Sequence, residues 1–307
     1  MSSRLVVSVP DAYLADALAT LDVPVEILDW QLDGPSPRPS IDIVVPRYMK
    51  PQAQFEYLRG VSTRLVQFQS IGYDGIADLL PPGTVFANAT SVHETSTAEL
   101  AVALILAAQR GLADYVRAAA RGRWEPDVRE SLADRSVLLV GYGGVGRAID
   151  RRLAPFEVDI VRVARHARRE GDLEVHAWDD LAALLPHADV VVLSLPLNDS
   201  TYHLVDAAFL ARLRDGALLV NVGRGPVVVT DALVSAATSG RLRAALDVVE
   251  PEPLPDGHPL FALPNVLIAP HVGGATSAMR PRMARLLVTQ VERMQRGNEP
   301  INVVLRT

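Results

Sequence analysis

The glycines of one short loop have the types and spacing of a phosphate-binding turn. In the segment VLLVGYGGVGRAID, Gly141, Gly143 and Gly146 directly follow an apolar run with the character of a strand and open a segment with helical character. Glycine at these positions permits a tight turn, close approach of the backbone to a pyrophosphate and close helix-to-strand packing, while the helix N-terminus supplies N–H donors. A strand, this loop, a helix and a second strand in succession predict a dinucleotide-binding site.

A second chemical signal lies about twenty residues further on, where the second strand of such a domain ends. Sites selective for NAD place an acid there, which accepts hydrogen bonds from the ribose hydroxyls. Here the strand ends near Ala164 and is followed by Arg165 and His166, with no Asp or Glu at that end. An acid would repel a 2′-phosphate, so its absence together with Arg165 and Arg168 predicts that NADP(H) is preferred, with NAD(H) still possible.

The arginines of this stretch also have a simpler explanation. Lys50 is the only lysine among 30 basic residues, so arginine is the ordinary surface base of this chain and a solvated turn remains an alternative. Arg162 alternates with the strand and is expected to point away from the site. Neither Arg162 nor Arg169 is explained by the sequence.

The elements that must position these residues follow from the periodicity of the apolar residues. Strand-like and helical segments alternate through the first hundred residues, which is typical of a parallel sheet with helices on its faces, and near-continuous apolar runs later in the chain indicate strands buried on both faces. One continuous helix is expected from Thr97 to about Ala120, and a last helix over residues 279–296. The expected strands are 4–9, 25–28, 41–45, 64–68, 84–88, 136–141, 158–164, 189–196, 217–222, 243–249 and 265–270, with helical spacing over 11–21 and 51–58 and a surface loop over 33–40.

Composition limits the classes of function. A chain of 307 residues is long enough for two domains, and its formal net charge of −6 argues against a nucleic-acid surface or a polybasic membrane footprint. The apolar run at 100–108 is too short to span a bilayer, and the N-terminal segment has no secretory signal, so we expect no membrane association. The absence of cysteine removes disulfides and thiolate zinc sites and fits a cytoplasmic protein; no metal site is predicted.

Several motifs in order along the chain resemble those of the D-isomer-specific 2-hydroxyacid dehydrogenases. The resemblance implies two α/β domains, in which a Rossmann-type dinucleotide-binding domain (97–274) is inserted into a flavodoxin-like substrate domain (1–96 and 275–307). It also implies a homodimer. The motifs are FQSIGYDGI (68–76), TSTAELAVALIL (95–106), GYGGVG (141–146), NVGRG (221–225), ALDVVEPEPLP (245–255) and APHVGG (269–274).

Three residues within these motifs fit the reduction of a 2-keto acid, which requires a cation, a proton donor and a group that keeps the donor charged. Arg224 would hold the carboxylate and polarise the carbonyl through its planar fork. His271 would donate the proton, and Glu252 would raise the pKa of the imidazole. Glu250 competes for the last role, but the family's acid stands five residues after the aspartate of its DV pair, and this position selects Glu252.

Other roles are carried over from the resemblance alone. Asp247 matches the aspartate that hydrogen-bonds the nicotinamide carboxamide, and the backbone N–H groups of Ile71 and Gly72 match the donors to the substrate carboxylate. Arg47 and Lys50 follow a strand of the first domain and face either the substrate or solvent. The remaining positions expected to line the cofactor are Gly144, Val145, Leu195, Pro196, Thr201 and Val222.

Together these features predict an NADP(H)-preferring, stereospecific oxidoreductase of a small 2-keto or D-2-hydroxy acid, of the glyoxylate or hydroxypyruvate reductase type. One alternative is a 3-phosphoglycerate dehydrogenase-like enzyme, which would prefer NAD and would need basic groups at the substrate phosphate. A formate dehydrogenase is disfavoured, because that relative carries Gln at the position of Glu252. A dinucleotide-sensing corepressor-like scaffold shares the fold, but the chain has no long disordered tail or basic nuclear-type segment to support it.

Overall fold

The chain divides into two compact units in a computed structural model that describes residues 4–50 and 52–307. Unit 1 comprises the residues up to His93 together with Thr276–Thr307, and unit 2 comprises Glu94–Ala275. Because unit 1 contains both arms of the chain, unit 2 is inserted into it. The sequence placed the two boundaries after residues 96 and 274.

Unit 1 is a sheet with helices against its faces. Strands β1 to β5 are parallel in the order 2-1-3-4-5, which is the flavodoxin-like order, and β14 pairs antiparallel with β5 at the edge. The sheet is buried on both sides, against α1 and α9 on one side and around Phe55 and Phe86 on the other. The strands are β1 (Leu5–Val9), β2 (Val25–Asp29), β3 (Ser40–Val44), β4 (Ser62–Gln67), β5 (Val85–Ala87) and β14 (Val303–Arg306); the helices are α1 (Ala12–Ala19) and α9 (Met279–Gln295).

Unit 2 contains a second sheet of six parallel strands in the order β13-β12-β11-β10-β6-β7. Beyond β7, His176 forms a parallel bridge with Val163, so this short segment occupies the place of the third strand in the Rossmann order 3-2-1-4-5-6. The two-domain α/β fold expected from the resemblance is therefore confirmed. The six strands are β6 (Ser136–Val140), β7 (Asp159–Val163), β10 (Val190–Leu193), β11 (Leu218–Asn221), β12 (Arg243–Leu246) and β13 (Val266–Ile268).

The helices of unit 2 cover both faces of this sheet. Two apolar cores result, one on each face, and β10 and β11 are buried along their whole length, as their uninterrupted apolar sequences predict. The helices are α2 (Glu94–Arg110), α3 (Leu112–Ala120), α4 (Gly144–Leu153), α5 (Leu181–Leu184), α6 (Ala207–Arg212), α7 (Thr230–Thr238) and α8 (Pro259–Ala262).

Two expectations about elements were wrong. The continuous helix from Thr97 to Ala120 is broken at Gly111, whose φ of 63° is left-handed. A side chain at this position would also collide with Arg129, because its Cβ would lie 2.8 Å from the Arg129 Nε. The segment after β7, where the sequence predicted no strand, forms the antiparallel hairpin β8 (Arg168–Glu170) and β9 (Leu173–Val175).

The other secondary-structure expectations agree with the structure within a few residues at each end. The predicted helical stretch at 51–58 is a 3₁₀ helix over Gln52–Leu58, and its first residue, Pro51, lies outside the described residues. In residues 4–50 and 52–307, none of the helices is both long and apolar enough to cross a membrane. The same part of the chain contains no group of three His, Asp or Glu side chains arranged to hold a metal ion.

Candidate active site

The sequence-predicted residues of unit 2 all lie at the carboxyl edge of its sheet, although they are spread over more than one hundred positions. The glycine loop follows β6, Arg224 follows β11, Asp247 and Glu252 follow β12, and His271 follows β13. Parallel strands bring these loops to one edge, and open α/β sheets bind ligands at that edge.

His271 is held in a geometry suited to proton transfer. Its Nδ1 lies 3.0 Å from Oε2 of Glu252, and 44% of its side chain is exposed. The hydrogen bond to Glu252 raises the pKa of His271, while burial and the charge of Arg224 lower it by less. The imidazolium is therefore favoured, with Nδ1–H donated to Glu252 and the second proton on Nε2.

The backbone at His271 is strained. Its φ of 53° places a residue with a bulky side chain in the left-handed region, which such residues rarely adopt. The conformation is fixed by the backbone N–H of His271, which donates to the carbonyl of Asp247 at 2.8 Å. Strain of this kind costs roughly 1–3 kcal/mol and is concentrated at functional sites, where surrounding contacts impose it.

Asp247 fixes this loop through its side chain as well. The carboxylate is 3% exposed and accepts backbone hydrogen bonds from Val272 at 2.8 Å and Gly273 at 3.0 Å. Burial raises the pKa of Asp247, and the two N–H donors partly oppose that effect. The resemblance assigned Asp247 only to the nicotinamide; the structure adds that it anchors the segment carrying His271.

The two competing glutamates have different partners. Glu250 lies with its Oε2 at 2.8 Å from Nε2 of His203, whereas Glu252 contacts His271. Glu250 is thus engaged with another histidine, and the geometry leaves Glu252 as the partner of the candidate proton donor.

Arg224 is positioned by a turn that a buried asparagine holds. Asn221, 1% exposed, donates from Nδ2 to the Arg224 carbonyl at 3.0 Å and accepts from the Gly223 N–H at 3.1 Å. The next residue must be glycine, because a Cβ at Gly225 would lie 1.8 Å from the carbonyl oxygen of Val249. The guanidinium of Arg224 is half-buried and donates to the Gly223 carbonyl at 2.7 Å. The sequence indicated Arg224 but not Asn221, whose role depends on a contact within the turn.

The glycines of the phosphate-binding loop have different structural roles. Gly141 has a φ of 104° and Gly146 packs so closely that a Cβ would lie 2.1 Å from the Gly141 carbonyl oxygen, so both are required by the fold. Gly143, at the N-terminus of α4, has no heavy atom within 4 Å of a Cβ built on it. The backbone there is open to a ligand beside the N–H groups of Gly144 and Val145, which fits a bound pyrophosphate.

Three residues expected to line the cofactor are buried beneath the surface of this edge. Leu195 and Val222 belong to the two apolar cores. Thr201 is 1% exposed, and its hydroxyl donates to the Pro196 carbonyl at 2.8 Å and accepts from the Asn198 N–H at 2.8 Å. The hydroxyl of Thr201 therefore shapes its turn, while Pro196 is exposed at the edge.

The basic residues after β7 differ sharply in their surroundings. Arg165 is exposed, and in the described part of the chain its side chain forms no hydrogen bond or ion pair. Arg168 donates from Nε to Glu170 Oε1 at 2.7 Å and from Nη2 to the Tyr142 carbonyl at 3.0 Å. Arg168, which the sequence predicts as a second residue for the 2′-phosphate, is thus paired with Glu170 of β8 in this structure.

Glu170 is shared with a further arginine that the sequence did not single out. Arg147 of α4 binds both carboxylate oxygens, from Nε at 2.8 Å and Nη2 at 2.5 Å. The hydrogen bonds from Arg147 and Arg168 lower the pKa of Glu170 to about 2. Two guanidinium groups thus surround one carboxylate, and this cluster keeps a net positive charge.

Tyr142 of the glycine loop organises these arginines. The guanidinium carbons of Arg147, Arg162 and Arg168 lie 5.4, 6.0 and 6.0 Å from the centre of its ring. The Tyr142 hydroxyl donates to Asp150, which also binds Arg162 through two hydrogen bonds at 2.7 and 2.9 Å. Arg162 therefore connects β7 to α4 through Asp150 and to Tyr142 of the glycine loop.

The remaining predicted residues belong to unit 1. Ile71 and Gly72 lie in the loop after β4, where the Ile71 carbonyl accepts from Asn88 Nδ2 at 2.8 Å. Within residues 4–50 and 52–307, neither of their backbone N–H groups donates to another protein atom. Arg47 is half-buried and Lys50 is exposed.

Comparison with known proteins identifies the family. Residues 102–273 match the model of the D-isomer specific 2-hydroxyacid dehydrogenase NAD binding domain. The chain is 36% identical over 245 residues to a glyoxylate/hydroxypyruvate reductase B from Escherichia fergusonii, covering 76% of each protein.

Solved structures share the fold over almost the whole chain. A D-isomer specific 2-hydroxyacid dehydrogenase from Xanthobacter autotrophicus, in complex with NADPH, is 28% identical with a TM-score of 0.82, covering 99% of this chain and 98% of that one. An NADPH-dependent glyoxylate/hydroxypyruvate reductase from Sinorhizobium meliloti, in complex with NADP and malonate, is 27% identical with a TM-score of 0.80, covering 99% of each. The chain thus belongs to the D-isomer-specific 2-hydroxyacid dehydrogenases, a family of NAD(P)-dependent oxidoreductases, and unit 2 carries its NAD-binding domain.

Proposed function

We propose that this protein is an NADP(H)-preferring reductase of small 2-keto acids, of the glyoxylate or hydroxypyruvate type. The observation that carries this proposal is the hydrogen bond between His271 Nδ1 and Glu252 at the edge that also presents Arg224 and the glycine loop. A charged proton donor, a planar cation and an open helix N-terminus together suit reduction of a carbonyl beside a carboxylate.

Side chains and backbone N–H groups of the chain have separate roles in the proposed reaction. Arg224 binds the keto acid and polarises its carbonyl, and in unit 1 the N–H groups of Ile71 and Gly72 are the proposed donors to a carboxylate. His271 gives the proton on Nε2 to the carbonyl oxygen, and Glu252 keeps the imidazole protonated and oriented. The dinucleotide, when bound at the glycine loop, supplies the hydride. In the oxidative direction His271 acts as the base and accepts the hydroxyl proton.

Arg165 is the residue that we propose selects the 2′-phosphate. It is exposed after β7 beside the Arg147–Glu170–Arg168 cluster, whose net charge is also positive. A hydrogen bond to a charged group contributes about 1.5–3 kcal/mol, and about 1.4 kcal/mol is a factor of ten. One well-placed arginine therefore supports a preference of roughly tenfold or more for NADPH. The two relatives solved with NADPH or NADP support the proposed preference for NADP(H).

We also propose that the protein is a cytoplasmic homodimer. A segment without helix or strand, residues 121–131, follows α3 and exposes two large apolar side chains, with Trp124 94% and Val128 96% accessible. Leu112 and Val116 of α3 are exposed as well. Several exposed large apolar side chains in one stretch of the chain are typical of a protein–protein interface, and a second copy of the chain is the partner that the family resemblance implies.

The deciding experiment is an assay of glyoxylate, hydroxypyruvate and other 2-keto acids with NADPH and NADH in parallel. Turnover at ordinary enzyme rates, with the higher kcat/KM for NADPH, is the expected result. A higher kcat/KM for NADH would favour the 3-phosphoglycerate dehydrogenase-like alternative. Tight dinucleotide binding without turnover of any 2-keto acid would favour the scaffold and contradict the proposal.

A further inference from the structure

His203 contacts two other loops at the carboxyl edge of the unit 2 sheet. It lies in the loop after β10, and its backbone N–H donates at 2.8 Å to the carbonyl of Pro226, in the turn that follows Arg224. Its side chain reaches the loop after β12, where Nε2 lies 2.8 Å from Oε2 of Glu250. His203 therefore joins the loop after β10 to the loops that carry Arg224 and Glu252.

The backbone of His203 is strained in the same way as that of His271. Its φ of 52° lies in the left-handed region, which residues with bulky side chains rarely adopt. The imidazole is fixed on one face by the ring of Tyr202, with the two ring centres 3.9 Å apart. Strain of this kind persists only where surrounding contacts impose it, and it is concentrated at functional sites. The conformation points to a defined role for this imidazole.

The segment 250–253, with the sequence EPEP, depends on side-chain contacts for its position. Its two prolines have no N–H group, and among the described residues no backbone–backbone hydrogen bond involves any of the four positions. At the start of the segment, the side chain of His203 binds the Glu250 carboxylate, and the hydroxyl of Thr230 donates to the Glu250 carbonyl. The contact with His203 is therefore a main constraint on this segment.

The prolines also make the segment stiff. A proline ring locks its own φ and restricts the residue before it, so all four residues have few accessible conformations. The position imposed at Glu250 is therefore transmitted to Glu252, two residues further along. Glu252 is exposed, and its Oε2 lies 3.0 Å from Nδ1 of His271. Each glutamate of the segment thus binds one histidine, and the two pairs are mechanically linked.

The contact between His203 and Glu250 does not require a charged imidazole. An ionised carboxylate only accepts hydrogen bonds, so Nε2 of His203 carries the proton in both the neutral and the charged form. The pair therefore holds the segment throughout the pH range in which His271 titrates.

We propose that His203 is a positioning residue for proton transfer: by binding Glu250 it fixes the segment 250–253 and holds Glu252 against His271. The inference rests on the proposed reductase activity and adds a residue to its machinery. His203 acts through Glu252 and takes no part in the chemical step itself. Without the contact, Glu252 moves away from the imidazole, and the proton donor is less often charged.

The test compares two substitutions of His203 that differ in reach. The amide nitrogen of Asn corresponds to imidazole Nδ1 and that of Gln to Nε2, so His203→Asn removes the contact with Glu250 and His203→Gln retains it. Asn also tolerates a left-handed φ better than most residues. We expect His203→Asn to lower kcat for reduction by roughly tenfold, since misplacement of a catalytic group by about 1 Å can cost up to about 10²-fold. The KM for the keto acid should change little, and His203→Gln should restore kcat.

The pH profile shows whether His203 acts through Glu252. The hydrogen bond to Glu252 raises the pKa of His271 most; burial and the charge of Arg224 lower this pKa, and the charge of Asp247 raises it. If Glu252 is displaced, the pKa of His271 falls, and kcat/KM for reduction is lost at a lower pH. In a Glu252→Gln background His203→Asn should cause no further shift, whereas independent effects would add.

A matched control is His187→Asn, which replaces an exposed histidine before β10 and should leave kcat and the pH profile unchanged. Thermal unfolding of each variant monitors folding, and Glu250→Ala removes the same contact if His203→Asn does not fold. A loss of kcat that His203→Gln does not restore, or a shift that persists in the Glu252→Gln background, overturns the inference.

NMR titration of the histidine side chains separates this inference from the proposed activity. The measurement uses the full-length protein without turnover, and the His271 signal is the one absent from His271→Gln. We expect a lower pKa of His271 in His203→Asn than in His203→Gln or His187→Asn. If no 2-keto acid is reduced, the proposed function is wrong, but this fall in pKa still supports the positioning role. An unchanged pKa of His271 in His203→Asn contradicts it.

Discussion

The carboxyl edge of the unit 2 sheet runs from the loops after β13, β12 and β11 to those after β6 and β7. Charged side chains at these two ends have different kinds of partner. After β11 to β13, the buried polar residues Asn221 and Asp247 bind backbone atoms, and the side chains of Arg224 and His271 remain partly exposed. Around β6 and β7, by contrast, Arg147, Arg162 and Arg168 bind carboxylates of the chain itself. The first end presents reactive groups, whereas most of the charge at the second end stabilises the loop that carries them.

The difference shows that residue type does not reveal whether a charge is available to a ligand. Arg165 and Arg168 stand three positions apart, yet one is exposed without a partner in the described chain and the other is held by Glu170. In a paired guanidinium the carboxylate offsets the positive charge and occupies some of the N–H donors, which reduces its net contribution to phosphate affinity. We therefore expect substitutions at the His271 end to act on the chemical step and those at the arginine end to act on cofactor choice.

The largest effect is expected for His271→Gln. Loss of the proton donor should lower kcat for reduction by roughly 10²- to 10⁴-fold, the usual contribution of general acid catalysis. The Kd for NADPH, measured by fluorescence titration, should change little because the glycine loop is intact. His187→Gln, an exposed histidine before β10, is the matched control. A near-normal kcat in the His271 variant would show that another group donates the proton.

The second largest effect, a change in cofactor preference, is expected for Arg165→Ala. Loss of one charge-assisted hydrogen bond should raise the Kd for NADPH by about tenfold and leave the Kd for NADH unchanged. Arg169→Ala is the control, since among the described residues the side chain of that exposed arginine donates only to the Asp172 carbonyl, at 3.4 Å. Equal changes for both cofactors would mean that Arg165 acts on the fold or the pyrophosphate and not on the 2′-phosphate.

Glu252→Gln should move the pH profile and leave cofactor choice unchanged. Glu252 raises the pKa of His271, and reduction needs the protonated imidazole, so kcat/KM for reduction is lost as pH rises through that pKa. Without the carboxylate the pKa of His271 falls, and we expect kcat/KM for reduction to be lost at a lower pH than in the unsubstituted protein. Oxidation, which needs the neutral imidazole, should begin at a correspondingly lower pH. An unshifted profile would separate Glu252 from the titration of His271.

The smallest effect is expected for Glu170→Gln. The substitution removes the carboxylate that Arg147 and Arg168 share, so both guanidinium groups become available to a phosphate. We expect the ratio of Kd for NADH to Kd for NADPH to rise by about two- to fivefold, within the modest range of exposed ion pairs. A fall in this ratio would show that Glu170 holds the arginines in a productive position.

Local patterns were sufficient for most of the fold. Runs of apolar residues predicted every strand of the two large sheets except β14, because strands buried in a sheet need such runs. The helix break at Gly111 was not predicted, because a glycine within a helical pattern can either continue or end the helix, and only its φ decides which. The hairpin at 168–175 was missed because its strands have three residues each and carry charged side chains.

The sequence by itself determined the fold class, the glycine loop and the candidate residues Arg224, Glu252 and His271, since these depend on residue type and short-range spacing. Only the tertiary structure decided which charges are engaged. Asp150 with Arg162, and Glu170 with Arg147, are pairs from separate elements. Their formation depends on how α4, β7 and β8 pack, because an ion pair is set by distances of a few ångströms that no spacing along the chain records.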